Sequence, residues 1–174
     1  MSCPVSAAAA ALALLSTTTF RSAPSSARAP APVREIADLM LPDVAVAVYD
    51  STSPIIFYNP RRMATFGPAM RAFFLAHEHA HIELKHTRAN ALGSGTAAED
   101  RTLQQHELQA DCLAAERLEA TGQRAVALEA MRYFARQRGK HFDDEHPAGT
   151  VRARNILRCL DQDEAETEQV TGAR

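Results

Sequence analysis

Apolar and polar residues alternate along the chain in a way that predicts a short strand region followed by helices. Val44 to Tyr49 alternates Val and Ala, and Ile55 to Tyr58 is an apolar run between Ser53-Pro54 and Asn59-Pro60. Both patterns predict strands, in a sheet of two or three. Helical spacing starts near Gly67-Pro68, where Pro suits a first turn, and predicts a helix to about Thr87. At about 100° per residue, Met70, Phe73, Phe74, His77, His81 and Leu84 share one stripe. After the Gly93-Ser94-Gly95 loop, a second helix is expected from about Ala98 to Ala120. Its Leu103, Glu107, Ala110, Asp111, Ala114 and Leu118 share one face. Further helices are expected over Gln123 to Arg138 and, beyond the polar loop Lys140 to Gly149, over Thr150 to Leu160. The predicted class is α+β: one helix-dominated domain over residues 35–160, with the small sheet beside the first long helix.

Both ends differ from this body. Val5 to Leu15 is an Ala-rich apolar run, too short to span a bilayer, and A-x-A-like sites follow at Ala27-Arg28-Ala29 and Ala29-Pro30-Ala31. Residues 1–34 therefore read as a signal or targeting segment plus linker, and export to the periplasm or outside is expected. The segment has no basic residue before Arg21 and no acid at all, which leaves an organellar or cytoplasmic destination as the alternative. Residues 161–174 are acidic and polar and are expected to form a disordered tail.

Apolar residues make up 46%, charged residues 23%, and the formal net charge is -2. With no basic cluster, a nucleic-acid partner is not expected. No later apolar run is long enough to form an integral membrane segment. No CxxC pair occurs, which excludes a cysteine zinc knuckle. Cys112 and Cys159 are read as two separate buried thiols, with their pairing left open.

The chemistry lies in His77-Glu78-His79-Ala80-His81, an HExxH motif. Residues four apart stack on a helix, so His77 and His81 both follow the apolar stripe into the protein. His79 and His86 fall on the opposite face and are read as surface residues. A catalytic zinc takes three protein ligands and keeps a position for water, and Glu107 is the expected third ligand. Glu107 and Asp111 sit on an otherwise apolar face, where an unpaired carboxylate is costly. A cation on Glu107 and an imidazole N–H on Asp111 offset that cost. Antiparallel packing of the helices would put Asp111 beside His77, fixing its tautomer. Glu78 flanks the ligand stripe, where a general base belongs. One zinc per chain is expected.

HExxH followed by Glu107-Leu108-Gln109-Ala110-Asp111 resembles the gluzincin metallopeptidases, and most closely those related to the CAAX prenyl protease. His146-Pro147 followed by Arg152 resembles that family's HP-x4-R element. The resemblance covers about residues 55–158 and implies a zincin-like fold, zinc-dependent endopeptidase activity and a polypeptide substrate. It also implies that His146 and Arg152 donate to the oxyanion. The membrane-spanning helices of some members are missing, so the small soluble or exported branch is the nearer likeness. Ile55 to Tyr58, taken as a sheet edge, would bind substrate backbone by strand addition. Two rivals stand beside this. One is an intracellular gluzincin that cleaves a repressor, whose HExxH helix is also preceded by Arg and Phe, as at Arg71 and Phe73. The other is a non-catalytic module stapled by zinc, which would have no need of Glu78.

Overall fold

In the computed structural model, which describes residues 32–48, 53–86, 97–137 and 146–171, Ile55–Tyr58 lies at the centre of the sheet. Residues 1–31, most of the expected targeting segment and linker, lie outside the described residues, as do the Gly93-Ser94-Gly95 loop and most of the Lys140 to Gly149 loop. Arg34–Ala37 (β1) pairs in parallel with Ile55–Tyr58 (β3), setting Arg34 opposite Ile55. Ala45–Val48 (β2) pairs with the other side of β3 in antiparallel sense, setting Ala45 opposite Tyr58. This corrects the expectation of an open edge at β3; the edges are β1 and β2. Within β1 only Ile36 is even half-buried. Backbone pairing rather than an apolar pattern makes it a strand, so the sequence shows no strand pattern there.

Asn59 organises the turn out of the sheet. Its buried side chain accepts from the Arg61 and Arg62 amides, capping the short helix Pro60–Met63 (α1). The same side chain donates to the Leu39 and Leu41 carbonyls, which ties down the β1–β2 connection. Such a cap is worth ~1 kcal/mol.

Pro68–Glu83 (α2) carries the motif and is covered on two sides. Met70, Phe73 and Ala80 enter the main helical core, while Ile82 and Leu75 pack with Ala47 and Ile56 beneath the sheet. Ala97–Ala120 (α3) ends at Gly122, whose φ of 74° is the left-handed value glycine adopts freely. Arg124–Arg136 (α4) and Gly149–Thr171 (α5) complete the bundle. Ala110, Ala114, Ala115, Ala127 and Ala130 are fully buried, and side chains this small let the helices approach closely. A Cβ on Gly149 would lie 2.5 Å from the Phe134 carbonyl oxygen. Only glycine lets α5 begin against the end of α4, which in turn places His146 and Pro147.

Two further features depart from expectation. The last helix runs beyond Leu160 to Thr171. Residues 161–171 hold no Gly or Pro to stop the helix, and Glu and Gln are good helix formers. Cys112 and Cys159 are not separate thiols but a disulfide between α3 and α5, with Cα atoms 5.6 Å apart. Among the described residues no helix is long and apolar enough to cross a membrane.

Candidate metal centre

The two buried faces that carry the motif residues meet. His77 is 4% exposed, on the α2 face that also buries Phe73. His77 Nε2 and His81 Nε2 lie 3.0 Å apart. Glu107 of α3 reaches both: Oε2 is 3.2 Å from His77 Nε2, and Oε1 is 3.1 Å from His81 Nε2. One ligand atom from each of the three residues falls within 4.8 Å of the others. Glu78, next to His77, is half-buried and close enough for its charge to act on Arg152.

Behind His77 stands a second layer. Its Nδ1 is 3.0 Å from Asp111 Oδ1, off the line of an ideal hydrogen bond. Asp111 is fully buried, and Arg152 grips it with two bonds, Nε to Oδ2 at 2.7 Å and Nη2 to Oδ1 at 2.6 Å. The Arg152 guanidinium lies over the Phe134 ring, 4.1 Å from its centroid. Asn155 donates to the Leu108 carbonyl at 2.7 Å, pinning α5 to α3 one turn further along. His146, just before α5, brings Nε2 to 3.4 Å from Glu107 Oε2, with its side chain 32% exposed. The structure thus brings together His77, His81, Glu107, Asp111, Arg152 and His146, the first five buried or nearly so and His146 at the rim.

The charge balance among these residues suits a cation. Burial pushes the His77 imidazolium down, but Glu107 and Asp111 together outweigh it and raise its pKa to about 10. Burial pushes Glu107 up, yet His77 and His81 hold it well below the usual carboxylate range. Asp111 is likewise held down against burial, chiefly by Arg152. Glu107 Oε2 is buried and makes no aligned hydrogen bond. Two converging imidazole nitrogens and a carboxylate with one buried oxygen left without an aligned bond are the donor set of a zinc site. The residues fit the metal.

The linkage has a definite sign. His77 has a folded pKa above its ordinary 6.5, so in the metal-free protein its ion pairs stabilise the fold fully below about pH 6.5. That contribution fades as pH rises through about 10. A histidine that ligates a metal must be neutral, so zinc binding at pH 7.5 is expected to release about one proton from His77. Calorimetry in buffers of different ionisation enthalpy measures this directly. Zinc uptake with no proton release would remove His77 from the ligand set.

The other histidines divide. His79 reaches Glu35 of β1 at 3.0 Å as an exposed pair, which contributes ~0–1 kcal/mol. His86 is not the solvated surface residue that helical periodicity predicts. The helix ends at Glu83, four residues earlier than expected, and Lys85 at φ 59° turns the chain back. His86 Nδ1 then lies 3.2 Å from His81 Nδ1, and its ring stacks on His106 at 4.0 Å. Burial, followed by the neighbouring His106 and His81, lowers the His86 pKa to about 4. Sequence reasoning missed His86, Gln109 and His106. The one available signal was the number of histidines near the motif.

Residues 33–144 match the family model for the IrrE N-terminal-like domain, peptidase M78. The match takes in the sheet, the motif helix and the helix of Glu107 and Asp111, and stops just before His146. No curated protein and no solved structure matches the chain significantly.

Proposed function

Because the chain belongs to the IrrE N-terminal-like family, peptidase M78, we propose that it is a zinc-dependent endopeptidase. The observation that carries this reading is the convergence of His77, His81 and Glu107 from two helices, with Glu78 beside them. A zinc held by these three would supply a Lewis acid that polarises a carbonyl and lowers the pKa of water toward ~7. Glu78 takes the proton of the attacking water and passes it to the leaving amine nitrogen. His146, at the rim and partly open to solvent, donates to the oxyanion. Arg152 is buried and spends its donors on Asp111, so we assign it to holding Asp111 rather than to substrate. The edge strand β2, whose Ala47 packs with Ile82 of α2, replaces β3 as the place where substrate backbone adds.

The test is cleavage of an unfolded protein such as casein, before and after chelation and with zinc restored. Loss on chelation and recovery with zinc supports the reading. Zinc-loaded protein that cuts nothing favours a non-catalytic staple. For the donor role, His146→Ala is expected to lower kcat by about 10²–10³ with KM little changed, since an oxyanion donor acts in the transition state. Steady-state kinetics beside zinc analysis decides this: lost metal would make His146 a ligand, and unchanged kcat would make it a structural residue.

For location we propose export. The Cys112–Cys159 disulfide supports it, because such bonds persist in oxidising compartments, and so does the apolar run Val5 to Leu15. The family match favours a second reading, a regulator that cleaves a repressor inside the cell. Thiol alkylation after cell fractionation separates the two. Oxidised cysteines in an exported fraction support the first, and free thiols in the cytoplasm the second.

A further inference from the structure

A metal-bound imidazole works best when its other nitrogen is also held, which fixes tautomer and ring orientation. His77 has Asp111 for this. For His81, the structure offers a histidine. We propose that His86 is the positioning residue for His81, and that Gln109 and His106 set its tautomer and ring plane. This rests on the metal-site reading above.

Proton counting leaves one arrangement. With Nε2 of His81 given to the metal, its proton sits on Nδ1 and is donated to His86 Nδ1, 3.2 Å away. His86 must then carry its own proton on Nε2. That nitrogen lies 3.1 Å from Gln109 Oε1, which accepts. Gln109 follows Glu107 by two residues, so α3 supplies both a metal ligand and the end of this chain of bonds. His106, on the same helix, lies flat against the His86 ring at 4.0 Å and 10°, which restrains rotation out of line.

The backbone delivers His86 to this place. The His86 amide donates to the His81 carbonyl and the Lys85 amide to the Ile82 carbonyl, at 2.9 and 3.1 Å. With Lys85 left-handed at φ 59°, these are the paired bonds of a Schellman helix end. That motif brings the second residue past the cap against the residue three before it, a contact usually apolar. Here the two positions are His86 and His81. The device that stops the helix also sets the ligand's partner.

The test uses the full chain and zinc competition against a chromogenic chelator. His86→Ala is expected to raise the zinc Kd by roughly 10–100-fold, the usual loss for such a partner. His86→Gln, whose amide oxygen can accept from His81, is expected to recover most of it. The cobalt-substituted protein should show altered d–d bands in His86→Ala and near-native bands in His86→Gln. Metal-free unfolding midpoints should be similar among the three proteins. An unchanged Kd, equal weakening by Ala and Gln, or weakening matched by lower metal-free stability would overturn the proposal. Wild type that takes up no zinc would instead sink the metal-site reading itself, and this inference with it.

Discussion

Replacing Glu78 with Gln is expected to lower peptide hydrolysis by about 10²–10⁴-fold, the usual share of a general base, with zinc still bound. The ligand atoms come from His77, His81 and Glu107, and Glu78 is not among them. Gln keeps the size and hydrogen-bonding capacity of the side chain and removes only its ability to take a proton. The loss should therefore appear in kcat, with the metal-to-protein ratio at one and the unfolding transition unmoved. Kinetics, elemental analysis and thermal unfolding on one preparation read all three. Retained hydrolysis would move the base elsewhere, and lost zinc would make Glu78 a ligand or its support.

The second large effect is expected at Asp111, for stability. Asp111→Ala leaves the Arg152 guanidinium 5% exposed with both of its charge-assisted bonds gone. Removing one partner of a buried pair costs about 3–5 kcal/mol, since the other charge stays buried alone. For a chain of this size each kcal/mol moves Tm by roughly 2–4 °C, so a drop of roughly 6–20 °C is expected in the metal-free protein. The loss of the contact to His77 should separately weaken zinc by about 10–100-fold. Asp111→Leu combined with Arg152→Met gives an apolar pair of similar volume that offers His77 no acceptor. It should regain much of the stability without regaining the zinc affinity. If Asp111→Ala unfolds at the wild-type temperature, the pair contributes nothing. If Arg152→Met lowers kcat at full zinc occupancy and unchanged stability, Arg152 acts on substrate after all.

How much of this was legible in the chain depends on how local each feature is. His77 and His81 are paired by helical geometry four residues apart, and Glu107 and Asp111 likewise. Two carboxylates on an apolar face call for partners whatever the tertiary arrangement. The helices after Pro68 show in their caps and breakers for the same reason, and so does the mixed class. Periodicity is weaker for α2 than for α4, because α2 is covered by the sheet on one side and the bundle on the other.

The remainder belongs to distances between segments far apart in sequence. β1 has one half-buried side chain and becomes a strand only because β3 is there to pair with, which moves the open edge to β2. Cys112 and Cys159 are 47 residues apart, and nothing in their spacing says whether α3 and α5 bring their sulfurs together. Arg152 carries a charge suited to an oxyanion, yet packing turns it onto Asp111. His86 follows a helix that stops on a left-handed lysine rather than a glycine, so no residue announces the stop. Helical phase is fixed by neighbours along the chain; which side chains share a proton, a sulfur bond or a buried charge is fixed by closed packing, where each position depends on all the others.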